Sequence, residues 1–195
     1  MRLLGLTGGI GMGKSACADL LHARGVAVVD TDKLARAVVE PGQPALGQVQ
    51  SLFGAEIVDS NGRLRRDMLA ARVFADSGAR HQLEAILHPR IRALWQAQVQ
   101  SWRQAKVDIG VVAIPLLFET KAETEFDRVI CVACSRGTQL ARLRLRGWTD
   151  PQIEQRIASQ LPVEQKMAGA HYVVWTEGAL DVDAAQLDLI LKNSF

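Results

Sequence analysis

The sequence predicts an α/β fold: a doubly wound, five-stranded parallel sheet with helices packed on it. Three observations carry this. Short apolar runs at 3–7, 26–29, 107–117, 128–134 and 171–175 are separated by stretches with helical spacing, and strands that alternate with helices build parallel sheets. The runs are continuously apolar rather than alternating, the pattern of strands covered on both faces. A glycine-rich segment, Gly8 to Ser15, follows the first run and opens the first helix, at the sheet edge where such folds bind ligands.

Each element follows from local pattern. The first run, 3–7, is bounded by glycines. Residues 14–24 carry Cys17, Leu20 and Leu21 at helical spacing, and Gly25 ends that helix. The second strand, 26–29, is followed by a helix at 33–39 that stops before Pro41-Gly42. A short helix at 46–53 precedes a turn at 58–64, signalled by Asp59, Asn61 and Gly62. Residues 67–75 and 78–105 read as helices, the second interrupted or bent at His88-Pro89. Ile91, Leu94, Trp95, Gln98 and Trp102 keep helical spacing there. The most apolar run, 107–117, is a central strand, and 128–134 is another. Arginine-bearing helices at 139–146 and 150–161, a short strand at 171–175 and an amphipathic helix at 182–191 close the chain. The long helical stretch breaks the strand–helix alternation and is read as an insertion in one domain. The core is then 1–60, 107–135 and 168–195, the insertion 61–106, and a helical lid 136–167.

Composition narrows the class. The 195 residues are 48% hydrophobic and 23% charged, the profile of a globular core that needs no disulfide or metal staple. The net charge of +2 argues for neither nucleic-acid nor membrane binding. Three cysteines suit a reducing cytosol better than a disulfide framework. No apolar stretch reaches the ~20 residues of a bilayer span. Met1-Arg2 leads directly into the glycine-rich segment, unlike a cleaved signal peptide. The expectation is a cytoplasmic protein, monomeric or weakly self-associating.

Residues 8–15 read GGIGMGKS, and Gly8, Gly13, Lys14 and Ser15 fit the phosphate-loop pattern. Glycines let the backbone curl so that successive N–H groups face phosphate oxygens. The helix that follows turns its positive end to the same anion. Lys14 supplies a point charge for the outer phosphates, and Ser15 a hydroxyl for Mg²⁺.

Asp30, Thr31 and Asp32 lie just past the second strand, on the same edge as the loop. On an extended chain residues two apart face the same way, so both carboxylates are expected to serve one Mg²⁺–phosphate–hydroxyl site, where a carboxylate can accept the proton of an attacking hydroxyl. Helix capping is the other reading of Asp and Thr there. Arg36, one turn beyond Asp32, is either an acceptor-phosphate ligand or part of a solvated face. Arg142 and Arg146 share a helix face, and Arg156, Gln160 and Lys166 follow; these are lid cations for transferring phosphate or an ordinary charged surface. Cys131 and Cys134 form a lone Cys-x-x-Cys inside a strand, read as core because no activating helix end or second ligand pair accompanies it. His88 either orients substrate or serves the helix break, and Trp95 and Trp102 are packing residues.

These segments together resemble the dephospho-CoA kinase family. The resemblance runs through LTGGIGMGKS, VVDTDKLAR at 28–36, VVEPGQPAL at 38–46, FGAEIVDSNGRLRRDMLAARVF at 53–74, LHPRI at 87–91, PLLFE at 115–119 and QLARLRLR at 139–146. It implies transfer of the ATP γ-phosphate to the ribose 3′-hydroxyl of dephospho-CoA. It places ATP on Gly11, Met12, Gly13, Lys14, Ser15, Ala16 and Arg146. Asp32 is implied as general base, with Lys14 and Arg142 as its catalytic companions and Ser15 and Asp32 on Mg²⁺. The acceptor falls to Asp30, Arg36, His88 and Leu116, and the inserted helices become the acceptor-binding part. Two departures stand out. Ala133 replaces a frequent acidic residue, and Thr176 stands where the family carries an Asn expected near adenine. A kinase for another small hydroxyl compound or a nucleoside monophosphate, and an ATP-driven switch or switch GTPase, are the alternatives. The guanine-reading Asn-Lys-x-Asp of the latter is missing from the sequence.

Overall fold

The computed structural model describes residues 1–193, apart from the side chain of Phe74; the last two residues of the expected core segment 168–195 lie outside it. The chain divides into two compact units, one formed by 1–30 with 101–195 and the other by 31–100.

The first unit holds the sheet. Five strands, β1 (Arg2–Gly8), β2 (Ala27–Asp30), β3 (Ile109–Ala113), β4 (Arg128–Ala133) and β5 (Tyr172–Trp175), lie in the order β2-β3-β1-β4-β5. Every pairing is parallel. From β1 the chain moves outward to β2, and after β3 it crosses to β4 on the other side of β1. The strand order therefore reverses beyond the carboxyl end of β1, where such sheets bind ligands.

Side-chain alternation assigns the faces. Leu4, Leu6, Val111, Ala113, Ile130, Val132 and Val174 pack on Cys17, Ala18 and Leu21 of α1 (Lys14–Ala23) and on Leu187 and Ile190 of the closing helix, residues 180–193. On the other face the backbone of β3 comes so close to Trp102 that a Cβ on Gly110 would stand 2.6 Å from its Cε3. The expected strand 107–117 is realised only as Ile109–Ala113. Pro115 cannot donate to a ladder, and the chain leaves the sheet there.

The second unit is helical. It contains α2 (Thr31–Ala37), α3 (Pro44–Phe53), α4 (Arg66–Ala75) and most of α5 (Ser77–Gln104). Val38, Val39, Ala45 and Leu46 gather Ile86, Leu87 and Ile91 around them, while Val49, Phe53, Ile57 and Leu69 form a second cluster with Leu83. These contacts draw α3 and the segment just after α2 into the unit, which begins at Thr31 rather than near 61. The expected turn is present. Val58 and Leu64 form an antiparallel bridge, and Asp59 accepts from the N–H groups of Asn61 and Arg63 at 2.8 Å each.

The expected break at His88-Pro89 is absent, since α5 runs through Pro89. A proline inside a helix costs about 3 kcal/mol, and burial of Ile86, Leu87 and Ile91 on both sides of it offsets that locally. The Arg90 guanidinium also donates to the Ile86 carbonyl, at 2.5 Å.

After β4 come α6 (Arg136–Leu145), α7 (Asp150–Ala158) and α8 (Val163–Gly169); β5 and α9 (Leu180–Asn193) complete the chain. The sequence pattern of a single helix over 150–161 missed α8. Pro162 is its N-cap and ends what would otherwise continue α7.

Candidate active site

The loop between β1 and α1 has the shape its glycines require. Gly11 and Gly13 have φ of +77° and +95°, values that side-chain-bearing residues avoid. Space enforces the choice as well: a Cβ on Gly11 would lie 2.8 Å from Leu143 Cγ, and one on Gly13 3.0 Å from Thr176 Oγ1. Gly13 is the N-cap of α1, so the positive N-terminal end of that helix opens onto the loop. Lys14 is 8% exposed, and its ammonium lies 3.7 Å from Asp30 Oδ1 at the end of β2. Ser15 is exposed in the first turn.

Three side chains remote in sequence hold this loop. Gln160 Oε1 accepts from the Ile10 N–H at 2.9 Å, and buried Gln139 donates from Nε2 to the Ile10 carbonyl at 2.7 Å. Thr176, 1% exposed, donates its hydroxyl proton to the Met12 carbonyl at 2.7 Å. Sequence reasoning missed Gln139 entirely and took Gln160 as a neighbour of lid cations. It set position 176 near the expected adenine site; in the structure the Thr176 side chain reaches the back of the loop.

Arg142 grips the same threonine. Its Nη1 donates to Thr176 Oγ1 at 2.9 Å and its Nη2 to the Thr176 carbonyl at 2.6 Å. The guanidinium also works against the burial that raises the carboxyl pKa of Asp183, whose Oδ1 has no hydrogen-bond partner among the described residues. Arg146, four residues on, caps α6 and is exposed. The neighbouring arginines are engaged. Arg144 pairs with Asp150, Arg136 with Glu154, and the Arg156 guanidinium lies 4.2 Å from the Trp148 ring centre.

Lys166 is no lid cation. It is fully buried, donating to the Pro115 carbonyl at 2.8 Å and pairing with Glu119 at 2.7 Å. Glu119 also accepts from the Leu161 N–H at 2.9 Å, and the Thr7 hydroxyl reaches the Pro115 carbonyl at 3.2 Å. A buried charge persists only when paired and hydrogen-bonded. Here the pair ties the PLLFE segment to α8 and to the end of β1.

Glu177 closes the other side. Its carboxylate accepts from the Ser135 N–H (2.8 Å), the Thr138 hydroxyl (3.0 Å) and the Trp175 indole N–H (3.3 Å). Hydrogen bonds from Ser135, then Thr138, hold its pKa down at about 2, from an ordinary 4.5. A depressed carboxylate contributes stability that is complete above its unfolded pKa and is lost as pH falls through the folded one. The melting-temperature gap between the wild type and Glu177→Gln is expected to be full above pH 4.5 and to close as pH falls toward about 2. A gap independent of pH over that window would remove the charge from the account.

Cys131 and Cys134 lie buried at the end of β4 as free thiols. Burial pushes the Cys131 thiol up to about 11 and the Cys17 thiol up to about 12, the opposite of activation.

The remaining expected site residues lie in other settings. Asp32 is in the first turn of α2 and exposed. The helix starts at Thr31, not at Lys33, so Asp30 and Asp32 do not share one extended segment. Their common orientation, expected from a strand-like period of two, does not hold. Arg36 is exposed in the last turn of the same helix, His88 half-buried on α5, and Leu116 half-buried after β3. Among the described residues no three His, Cys, Asp or Glu side chains cluster as metal ligands, and no helix is long and apolar enough to cross a membrane.

A family profile described as dephospho-CoA kinase matches residues 2–181. The chain belongs to the dephospho-CoA kinase family. The dephospho-CoA kinase of Anaeromyxobacter dehalogenans (strain 2CP-C) is 45% identical over 194 residues, covering 99% of this chain and 92% of the relative. A crystal structure of a Thermus thermophilus protein superposes with a TM-score of 0.82 at 31% identity, over 100% of this chain and 98% of that one. The dephospho-CoA kinase from Campylobacter jejuni, with a TM-score of 0.71, 23% identity and complete coverage of both chains, shares the fold. The five-stranded parallel sheet thus belongs to a chain of a kinase family, and its fold is shared with solved structures.

Proposed function

We propose that this protein transfers the γ-phosphate of ATP to the ribose 3′-hydroxyl of dephospho-CoA, giving CoA and ADP, the last step of coenzyme A biosynthesis in the cytoplasm. The observation that carries the reading is the loop 8–15 at the carboxyl edge of a parallel sheet, in a chain whose family match spans 2–181.

Phosphoryl transfer requires positioning and charge neutralisation more than covalent help from the protein. The N–H groups of residues 11–16 hold the β- and γ-phosphates, and Lys14 sets a positive charge against them. Asp32 accepts the proton of the 3′-hydroxyl as its oxygen bonds to the γ-phosphorus and the bond to the β–γ bridging oxygen breaks, leaving ADP. Arg36, His88, Asp30 and Leu116 hold the acceptor. Arg142, oriented by Thr176, and the exposed Arg146 neutralise charge on the transferring group.

The exposed Ser15 hydroxyl and the Asp32 carboxylate are hard oxygen donors too few for an all-protein cage. Donors of this kind would suit Mg²⁺, with water and substrate phosphates supplying the other ligands. When bound, the ion neutralises phosphate charge.

ADP release is to be measured with ATP, Mg²⁺ and one acceptor at a time: dephospho-CoA, adenosine, AMP, CMP and shikimate. The expected result is turnover only with dephospho-CoA and a product heavier by one phosphate at the 3′ position. Turnover with another acceptor alone would overturn the substrate assignment, and turnover with none would overturn the kinase reading.

A further inference from the structure

The phosphate loop is usually considered from its concave, phosphate-facing side; here its reverse side carries three built contacts. A trans peptide unit is planar, and its C=O and N–H point in opposite directions. Whatever holds a carbonyl on the outside of the loop therefore also sets the direction of the next residue's N–H on the inside. The Met12 carbonyl belongs to the same peptide unit as the Gly13 N–H, and the Ile10 carbonyl to the same unit as the Gly11 N–H. Both carbonyls are taken by side chains, Met12 by Thr176 Oγ1 at 2.7 Å and Ile10 by Gln139 Nε2 at 2.7 Å. No acceptor for the Gly11 or Gly13 N–H occurs among the described residues.

The donor and acceptor inventory leaves one arrangement. Arg142 only donates, so Thr176 Oγ1 accepts from it, and the single hydroxyl proton goes to the Met12 carbonyl rather than to the Ala133 carbonyl at 3.4 Å. Gln139 Oε1 accepts from Arg136 Nη1 at 3.2 Å, which leaves its NH₂ for Ile10. Both anchors are almost fully buried, Thr176 at 1% and Gln139 at 2% exposure, where a neutral hydrogen bond is costly to leave unmade. The two anchored units alternate along the loop, and each precedes a glycine with positive φ, the backbone form that makes an anion-binding concavity.

We infer that Thr176 and Gln139 are positioning residues for phosphate binding: from behind the loop they fix the peptide units 12–13 and 10–11 and so aim the N–H groups of Gly13 and Gly11 at the nucleotide phosphates. This rests on the reading that the loop 8–15 binds phosphate. Neither side chain touches the nucleotide. Position 176 thereby governs the affinity of the protein for the phosphate chain. Arg142 is held in register with the loop through the same hydroxyl.

The test compares Thr176→Val, Thr176→Ser, Gln139→Leu and Lys14→Ala in the full chain. Calorimetry with ATP and with inorganic tripolyphosphate gives the dissociation constants, and steady-state kinetics give KM for each substrate. Thr176→Val keeps the shape and removes the hydroxyl, while Thr176→Ser keeps the hydroxyl. The expected result is a rise of about tenfold in both dissociation constants for Thr176→Val and Gln139→Leu, the size of one lost hydrogen bond. KM for dephospho-CoA should stay unchanged, and Thr176→Ser should recover wild-type binding. Equal losses for ATP and dephospho-CoA, or a Thr176→Ser variant as weak as Thr176→Val, would mean a general structural role and overturn the inference. Wild-type tripolyphosphate binding in Thr176→Val and Gln139→Leu, with binding lost in Lys14→Ala, would overturn it while leaving the phosphate loop intact. Wild-type binding in Lys14→Ala would remove the phosphate reading and this inference together.

Discussion

Replacing Asp32 by Asn is expected to lower kcat by about 10²–10⁴-fold, the usual contribution of a positioned general base, with the dissociation constant for ATP unchanged. Asn matches Asp in size and keeps one acceptor oxygen but cannot take up a proton. The substitution thus separates proton transfer from packing. Asp32 is exposed in the first turn of α2, where a carboxylate also favours the helix start; loss of that interaction would appear in the melting temperature and not in kcat. Single-turnover kinetics with ATP and dephospho-CoA, alongside a thermal melt, distinguish the two. Wild-type turnover with a lowered melting temperature would leave Asp32 as a helix-terminal residue and nothing more.

Lys14→Ala is expected to lower kcat/KM for ATP by about 10²–10³-fold, the typical cost of removing one preorganised charge-stabilising group. The ammonium is almost buried and 3.7 Å from Asp30, so its position is set before nucleotide arrives. Electrostatic help of this kind needs no rearrangement as charge builds up on the phosphate oxygens. The loss should fall on both KM and kcat, because the β- and γ-phosphates carry negative charge in the ground state and in the transition state alike. Lys14→Arg is not expected to restore activity, since a planar guanidinium differs in shape from a compact ammonium and a site 8% exposed offers it little room. Near-normal kcat/KM in Lys14→Ala would contradict the assignment of the loop.

The two substitutions also divide the site by how it can be read from residues. Lys14 and Ser15 are legible because a phosphate loop is a local device whose pattern lies within eight residues, and both lie in the first turn of α1. Asp32 is proposed from its proximity in sequence to the loop, but the local geometry expected for it does not hold: the helix begins at Thr31, so the strand-like pairing with Asp30 fails. Arg142 was noticed as a cation and is, in the fold, a cation committed to Thr176. Lys166 was grouped with it on charge alone and proved to be fully buried against Glu119.

The sequence by itself determined the strands, their parallel arrangement, the loop and the turn at 58–64. The strands, the loop and the turn depend on continuous apolar runs or turn chemistry that fit within a dozen residues, and the parallel arrangement on the alternation of those runs with stretches of helical spacing. Tertiary structure alone decided what stands behind the loop. Gln139, Gln160 and Thr176 reach Ile10 and Met12 across 129, 150 and 164 residues of chain, and no local pattern records which way a glutamine on a helix will face. It also decided that α5 continues through Pro89, where Ile86, Leu87 and Ile91 pack on Val38 and Val39, just after α2, and on Ala45 and Leu46 of α3. Backbone preference acts between near neighbours, whereas burial and the pairing of buried polar groups act between whichever segments the fold brings together.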